Sequence, residues 1–411
     1  METPVTLTPP GQLFRRDFRP AGQATFVGPE NRPIKLLQWN IERGYQLPGI
    51  IEELRRLDAD LISLQEVDSG CERSGGGDTG LAIAAALELD YVFLSEFEEI
   101  HSPLRDAATQ GGGMHGNAIL SKFTISEAAV VPHRQVERRA RGERGGAGQG
   151  PSFTVTHPVD WNNPTHALAR REPRRGERAV LRATVDTPQG PLVVYNAHLE
   201  VFCGLLARIA QLSDIFADAR RMADCGLHHQ AILGDMNTMA HGIARLSPNY
   251  CCDRMRFRSI GLDEAMVWHR YVLPVADPRY AASSAHCGTS TSAGLSATSA
   301  NEAASDQPAA AAAAAGEPNS TASPPINRQL VAWGLDVQVA RDAVNPGFHD
   351  PFDPATTTLD NPKYRFLGFS LMKGKLDWVL LRRMAVTKQD VGNLDFSLSD
   401  HRWLAAEVTL D

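Results

Sequence analysis

Seven short stretches of the sequence place acidic, amide or imidazole side chains inside or directly after apolar runs. In chain order they are Gln38-Trp39-Asn40, Leu64-Gln65-Glu66, Gly116-Asn117, Asn196-Ala197-His198, Gly234-Asp235-Met236-Asn237, Leu376-Asp377-Trp378 and Ser399-Asp400-His401. Carboxylate and amide oxygens are ligands for hard cations, and imidazole can move a proton near neutral pH. Groups of this kind at strand ends indicate a site that binds a cation and a phosphate.

The last two stretches suggest a general base. Asp377 is an acid within an apolar run, and a buried aspartate needs a partner. His401 is the natural partner, because a carboxylate that orients an imidazole makes a base that works near neutral pH. Asp400 and His401 would point to opposite sides in a strand, whereas in a turn both could face the site.

Asp235 and Asn237 are two residues apart, as are Asn196 and His198, so in extended chain the members of each pair point to the same side. Taken singly, these residues fit turns, caps or satisfied core positions equally well. Glu66 and Asn40 also fit a surface glutamate and a turn-capping asparagine. The ordered set over some 360 residues is what indicates hydrolysis of a phosphoester.

In this order, the motifs resemble those of the endonuclease/exonuclease/phosphatase superfamily, the DNase I-like hydrolases. The resemblance covers residues 34–273 and 326–410. It implies a four-layer α/β/β/α sandwich, with the site at one edge of two sheets. It also implies Mg²⁺ as cofactor, with Mn²⁺ as a substitute.

The resemblance implies a role for each matched residue. Glu66 resembles the principal metal ligand, with Asn40 and Asp400 as neighbours, and His401 resembles the general base oriented by Asp377. Asp235 and Asn237 resemble the pair that positions water and stabilises the pentacoordinate phosphate, and either Asp235 or His401 could take the proton. His198 resembles the histidine that contacts the phosphate, and Asn117 matches a polar substrate-binding residue.

Departures from the motifs narrow the set of superfamily branches that this sequence resembles. Leu376-Asp377-Trp378 stands where the inositol-phosphatase branch has Cys-Asp-Arg, and the abasic-site endonuclease branch lacks a histidine at the position of His198. The motif that contains His198, followed by a long helix with Arg208 and Gln211, is similar to the tyrosyl-DNA phosphodiesterase, deadenylase and sphingomyelinase branches. The arginine run at 170–178, with Arg178 as a substrate-binding candidate, could line a phosphate-rich groove or form a solvated loop.

Composition fits a globular protein of ordinary type. The 411 residues are 43% hydrophobic and 22% charged, with a net charge of -7, which does not indicate a strongly basic nucleic-acid protein. The six cysteines form no CxxC pair, so neither a disulfide framework nor a zinc site is indicated. With no secretory signal pattern or apolar span, we expect a soluble intracellular protein, cytoplasmic or nuclear, with organelle targeting left open.

Strand-like runs outnumber helical ones, which favours an α+β fold of two mainly antiparallel sheets flanked by helices. We expect a disordered or extended tail over 1–32 and a single domain over 33–411. An Arg/Gly-rich loop at 134–150 and a low-complexity Ala/Ser insertion at 281–325 interrupt this domain. Thr187-Pro188-Gln189-Gly190 predicts a hairpin turn, and a second hairpin-like pair is predicted around Ser121-Lys122.

The predicted function is metal-dependent hydrolysis of a phosphodiester or phosphomonoester by in-line attack of an activated water, with nucleic acid as substrate. The alternative substrate is a lipid or small-molecule phosphodiester, as for a sphingomyelinase-like enzyme. A catalytically dead binding scaffold is disfavoured because every polar position of the set is retained. No obligate protein partner and no membrane span are expected.

Deleting residues 285–322 tests the low-complexity insertion. We expect the melting temperature to be nearly unchanged, because shortening a flexible loop changes the loop-closure entropy little. Differential scanning calorimetry of the deletion variant measures this. A fall of many degrees would show that the segment is packed.

Overall fold

Two β-sheets face each other, with helices on the outer face of each. The computed structural model describes residues 7–20, 32–134, 173–239, 241–242, 263–281, 325–362, 365–366, 369–370 and 372–411. The Arg/Gly-rich loop and the Ala/Ser insertion lie almost entirely outside these described residues.

The first sheet has eight strands among the described residues, in the order β1-β4-β5-β3-β2-β17-β16, with β7 also paired to β4. They are β1 (Leu13–Asp17), β2 (Ile34–Asn40), β3 (Leu61–Ser69), β4 (Asp90–Glu99), β5 (Gly113–Ser121), β7 (Arg174–Gly176), β16 (Met384–Gly392) and β17 (Trp403–Leu410). Only β2 and β3 are parallel neighbours in this sheet, which is therefore mixed but mainly antiparallel.

The second sheet has the order β15-β10-β9-β8-β6. Its strands are β6 (Thr124–Pro132), β8 (Ala179–Thr187), β9 (Gly190–His198), β10 (Gln230–Asp235) and β15 (Asp377–Arg382). Here β9 and β10 are the parallel pair. Two short ribbons pair β11 (His241–Gly242) with β14 (Met372–Lys373), and β12 (Arg365–Phe366) with β13 (Phe369–Ser370).

Helices form the two outer layers. On the first sheet, α1 (Leu47–Leu57) and α2 (Thr79–Leu87) bury residues such as Leu54 and Ile83 against the strands. On the second sheet, α3 (Leu205–Asp224), α4 (Glu264–Tyr271), α6 (Arg328–Trp333) and α7 (Val337–Asp342) share a core with the strands, and α5 (Pro278–Ala281) follows α4. A third apolar cluster fills the space between the sheets. The predicted four-layer sandwich is confirmed.

Burial on both faces explains why the central strands are almost continuously apolar. In β10, for example, Ala231 faces the cluster between the sheets and Ile232 faces the helices, so each consecutive side chain meets a different core. Polar side chains in such strands stand out as exceptions. They concentrate where β2, β9 and β10 end and β15 begins.

Two local predictions differ from the structure. Part of the predicted tail over 1–32 is strand β1, whose residues Leu13–Asp17 pair antiparallel with β4 and complete that edge of the sheet. The hairpin predicted around Ser121-Lys122 is wrong, because β5 belongs to the first sheet and β6 to the second. The chain turns a corner there, with the Phe123 backbone N–H donating to Ser121 Oγ. The predicted hairpin of β8 and β9 is confirmed.

Substitution of Gly234 tests the close contact between strands β9 and β10 near the polar ends of these strands. A Cβ atom at this position would lie 2.0 Å from the Ala197 carbonyl oxygen, a backbone atom that cannot rotate away. We expect Gly234→Ala to lower the free energy of unfolding by about 3 kcal/mol. Gly77→Ala is the matched control, since nothing lies within 4 Å of its added Cβ. Equal urea midpoints for the two variants would contradict this packing.

Candidate active site

Polar side chains from both sheets meet at one edge of the sandwich. Asp235, at the end of β10, is paired in register with His198 on β9 and with Asp377 on β15. Asn40 ends β2 and contacts Asp235 across the gap between the sheets. The edge therefore gathers residues that are widely separated in sequence.

His401 and Asp377 form a buried pair. His401 Nδ1 lies 2.8 Å from Asp377 Oδ2, and Gln38 Nε2 donates to Asp377 Oδ1 at 2.8 Å. Thr358 Oγ1 accepts from the Asp377 backbone N–H at 3.1 Å. With Nδ1 held by a carboxylate, Nε2 is the nitrogen left for chemistry, and it lies 3.8 Å from Asp235 Oδ2.

A turn, not a strand, presents His401. Ser399 Oγ donates to the Asn40 carbonyl at 2.6 Å and accepts from the His401 backbone N–H at 3.1 Å. Trp39 Nε1 donates to the His401 carbonyl at 3.1 Å. The turn lets Asp400 and His401 face the same side, with Asp400 Oδ1 4.0 Å from His401 Nε2.

Asn40 joins the two carboxylates of the site. Its Nδ2 donates to Glu66 Oε1 at 3.3 Å and to Asp235 Oδ2 at 3.0 Å. Its Oδ1 accepts from the Glu42 backbone N–H at 3.1 Å. Asn40 thus presents its nitrogen, not its oxygen, to the carboxylates, so direct cation ligation by Asn40 would require its amide to rotate away from Glu42.

Glu66 is presented by a β-bulge. The ladder between β3 and β5 shifts between Leu64 and Val67, and Glu66 has a φ of 55°. Bulges next to active sites re-aim side chains in this way. Arg43 Nη1 lies 3.3 Å from Glu66 Oε2. Burial opposes ionisation of Glu66, but the Arg43 charge and the surrounding imidazoles outweigh it and lower its pKa.

The pKa of Asp235 is shifted upward, in the opposite direction to that of Glu66. Burial raises its pKa to about 7, against the effect of His401, while the nearby Asp377 charge adds to the rise. Asn237 donates its backbone N–H to Asp235 Oδ1 at 2.8 Å and its Nδ2 to the Leu199 carbonyl at 2.8 Å. Asn237 is therefore fixed beside Asp235 through its backbone, while its side-chain amide is held at Leu199.

The pKa values of His401 and His198 are shifted in opposite directions. Burial alone would lower the pKa of His401, but Asp377 and Asp235 raise it well above the ordinary value. His198 Nε2 lies 3.6 Å from Asp235 Oδ2, yet burial and the Arg178 charge hold its pKa well below normal. Its Nδ1 is buried and has no hydrogen-bond partner among the described residues.

The part of the arginine run that the structure describes, residues 173–178, engages its arginines in ion pairs with glutamates. Of its described members, Arg174 and Arg178 are buried, donate to Glu200 and Glu96 respectively at 2.8 Å, and pack over the Phe97 ring. Arg178 acts on the site through its charge, which reaches His198. The substrate-binding candidate Asn117 is fully buried, and in the described part of the chain neither polar atom of its amide has a partner.

The donor set fits a hard divalent cation. Glu66 and Asp235 lie on either side of one amide, and the raised pKa of Asp235 shows a buried carboxylate with too little compensating charge. A bound cation supplies such charge. Ligand atoms of Asp235, Asp377 and His401 also lie within 4.8 Å of one another, but Asp377 already uses its oxygens on Gln38 and His401.

The sequence alone indicated no role for several residues that hold the site. They are Gln38, Arg43, Thr358 and Ser399. Gln38 gave a usable signal, since it is a polar residue in a buried strand two positions before Asn40. Arg43 gave none, because its position depends on a left-handed backbone with a φ of 62°.

Asp377→Asn tests the orientation of His401. The substitution keeps the side-chain volume but removes the charge that stabilises a protonated imidazole, so we expect hydrolysis of a phosphodiester to slow by at least about 100-fold. Asp390→Asn, on the exposed edge strand β16, is the control. Initial rates are compared after circular dichroism shows that both variants are folded. A loss below tenfold would contradict this role.

Comparison with known proteins gives matches among solved structures, whereas no curated protein sequence matches the chain. Similar structures include an endonuclease/exonuclease/phosphatase from Beutenbergia cavernae DSM 12333, with 15% identity, 92% of this chain and 72% of that chain covered, and a TM-score of 0.43. The human Nocturnin catalytic domain has 13% identity, with 97% of each chain covered and a TM-score of 0.42. TDP2 from C. elegans has 11% identity, with 93% of this chain and 77% of that chain covered, and a TM-score of 0.42.

None of the helices in the described ranges combines the length and hydrophobicity needed to cross a membrane.

The family model described as Endonuclease/Exonuclease/phosphatase family matches residues 37–401, most of the chain. Its limits run from β2 to the His401 turn, so they enclose all the motifs identified from sequence. The chain therefore belongs to the endonuclease/exonuclease/phosphatase family, a family of phosphoric ester hydrolases.

Proposed function

We propose that the protein is a divalent-cation-dependent phosphodiesterase that acts on nucleic acid. The observation that carries this proposal is the buried His401–Asp377 pair, with the free Nε2 of His401 3.8 Å from Asp235. A base, two carboxylates and several amide groups lie at one edge of the sandwich. In-line attack of water on phosphorus needs these groups together.

The proton of the attacking water has two candidate acceptors. His401 has an oriented Nε2, but the carboxylates that surround it favour its protonated form. Asp235 has a pKa of about 7, which suits a base near neutral pH. Since a cation beside Asp235 would change both values, the two residues act as one acid–base unit.

The phosphate is held by the neutral polar groups of the site. His198 Nδ1 and the Asn117 amide are buried without a partner in the described part of the structure, so a phosphoryl oxygen could accept a hydrogen bond from His198 Nδ1–H or from Asn117 Nδ2. Asn237 lies next to Asp235, to which its backbone N–H donates. These groups have the chemistry to bind phosphoryl oxygens and to position water.

The cation is Mg²⁺, with Mn²⁺ as a substitute. Glu66 would be the principal ligand, since the Arg43 ion pair and nearby imidazoles keep it ionised, with Asn40 and Asp400 as neighbours. When bound, the cation neutralises phosphoryl oxygens and lowers the energy of the charged transition state. Magnesium keeps several waters, so few protein ligands suffice.

Tyr45 favours a nucleic-acid substrate over a lipid or small diester. It is the one aromatic among the exposed large apolar side chains of the described residues, and it follows Arg43 by two positions. Partial burial raises the pKa of Tyr45, and the charges of Arg43 and Arg73 act against that rise, so the phenol lies within electrostatic reach of the Arg43–Glu66 ion pair. An exposed aromatic ring next to a phosphate site can stack on a nucleobase.

Glu66→Ala and His401→Ala test the proposed reaction. Each should reduce Mg²⁺-dependent hydrolysis of a generic phosphodiester by at least about 100-fold, because one removes a cation ligand and the other the oriented base. Rates are measured with Mg²⁺, with Mn²⁺ and with excess chelator. Glu407→Ala, on β17 away from the site, is the control.

A rate loss below about tenfold, or roughly 1.4 kcal/mol of barrier, would falsify these roles. The substrate panel is single- and double-stranded DNA, RNA, poly(A), 5′-tyrosyl DNA, sphingomyelin and inositol phosphates. Preferential hydrolysis of sphingomyelin or an inositol phosphate would replace the nucleic-acid assignment while leaving the reaction class intact.

Tyr45→Ala tests base stacking. Loss of one stacking contact, worth about 1–3 kcal/mol per base, should lower kcat/KM for a single-stranded oligonucleotide by about tenfold or more. Bis(4-nitrophenyl) phosphate is compared in parallel, and Tyr45→Phe, which keeps the ring, should behave like the parent protein on the oligonucleotide. Equal oligonucleotide rates for Tyr45→Ala and Tyr45→Phe would show that the ring contributes nothing.

A further inference from the structure

A second aspartate–histidine pair lies beside the site. His115 Nδ1 is 2.7 Å from Asp68 Oδ1, and the two residues are directly opposite each other on β5 and β3. Neither residue belongs to the seven polar stretches of the sequence described above. The pair has the same chemistry as His401 and Asp377, in which a carboxylate holds one ring nitrogen and leaves the other available.

The pair is built rigidly. Arg73 binds both oxygens of Asp68, with Nε 2.8 Å from Oδ2 and Nη2 2.9 Å from Oδ1. The imidazole of His115 stacks on the Phe97 ring at an interplanar angle of 21°. Asp68 and Arg73 are both almost fully buried. The ring is therefore fixed by Phe97 on one face and by Asp68 at Nδ1, which leaves Nε2 to meet a ligand.

The two pairs lie at opposite ends of one row of strands. The sheet order β5-β3-β2-β17 places His115, Glu66, Asn40 and the His401 turn side by side. Neighbouring strands are about 4.8 Å apart, so the backbones of β5 and β17 are separated by roughly 14 Å. His115 and the His401 turn therefore lie on opposite sides of Glu66 and Asn40 in this row of strands.

His115 and His401 also act electrostatically on the same two residues. The charges of His115 and of His401 act on the pKa of Glu66 in the same direction, and both act on His198. Asp68 and Arg73 contact His115 at Nδ1, and Glu66, Glu99 and His198 lie within electrostatic reach of it. His115 is thus part of the environment of the proposed phosphate site from the side away from His401.

The backbone around His115 is shaped for this placement. β3 bulges at Gln65–Glu66 and β4 bulges at Glu96, on the two sides of Gly116. A Cβ at Gly116 would lie 1.9 Å from the Leu94 carbonyl oxygen, so only glycine fits between the two bulged strands. His115 and Asn117 flank this glycine and share a face of β5, and the Asn117 amide has no partner within the described ranges.

We propose that His115 is a further catalytic residue, the general acid that protonates the leaving group, with Asp68 as its positioning residue. The inference rests on the proposed phosphodiesterase reaction. Water attacks phosphorus, the bond from phosphorus to the leaving oxygen breaks, and its electron pair stays on that oxygen. The proton on His115 Nε2 passes to this oxygen, and the neutral imidazole regains a proton from solvent.

A leaving-group series tests this assignment. The substrates are methyl phosphate diesters whose second ester group, the leaving group, is 4-nitrophenyl, 4-chlorophenyl, phenyl or methyl. Their hydrolysis by the parent protein is compared with their hydrolysis by His115→Gln. A strongly basic leaving group needs the proton and a weakly basic one does not. We expect His115→Gln to lower kcat/KM by at least about 100-fold for phenyl and methyl esters, and by less than about tenfold for the 4-nitrophenyl ester.

Controls separate the assignment from a structural effect. His101→Gln changes an exposed histidine outside the site and should keep the parent dependence on leaving group. His115→Asn serves if His115→Gln does not fold, as judged by circular dichroism. A parallel fall for all esters in the folded variant overturns the general-acid role and leaves the phosphodiesterase proposal standing. Absence of hydrolysis of every ester by the parent protein overturns both.

Discussion

Burial of several ionisable groups between two sheets is the constraint on which this structure depends. A buried charge without a partner is far more costly than an exposed one, and this edge of the sandwich buries Asp235, Asp377, His198 and His401 beside the half-buried Glu66. Most of them are compensated by a specific neighbour. Asp377 has His401 and Gln38, and Glu66 has Arg43. Asp235 is the exception, and its raised pKa marks the place where compensation is incomplete.

This imbalance connects stability to function. A cation held near Glu66 and Asp235 would supply the missing charge, so the same groups that are unfavourable in isolation become ligands and acid–base groups. Asn40 couples Glu66 and Asp235 through its side-chain amide nitrogen. Its backbone carbonyl accepts a hydrogen bond from Ser399 in the His401 turn. A change at Asn40 therefore reaches both the cation side and the base side of the site.

Much of the fold, and which residues meet at the candidate site, could be predicted from sequence because their signals are local. Apolar runs that end in polar residues gave strand ends, and the motif order gave the family. The corner between β5 and β6 could not be predicted, because a short turn between two strands looks the same whether the strands pair or enter different sheets. The orientation of the Asn40 amide and the Arg43 ion pair depend on tertiary contacts and a left-handed backbone. Strand β1 was missed because its charged residues lie on an exposed sheet edge.

The most direct test of the proposed cation site is the location of Mn²⁺ by anomalous diffraction from crystals of the protein soaked with that cation. We predict one strong anomalous peak bonded to the Glu66 carboxylate, on the side facing Asp235, and no peak there in crystals of Glu66→Ala. A peak in another part of the surface, or none at millimolar Mn²⁺, would contradict the claim that these strand ends form a cation-dependent site.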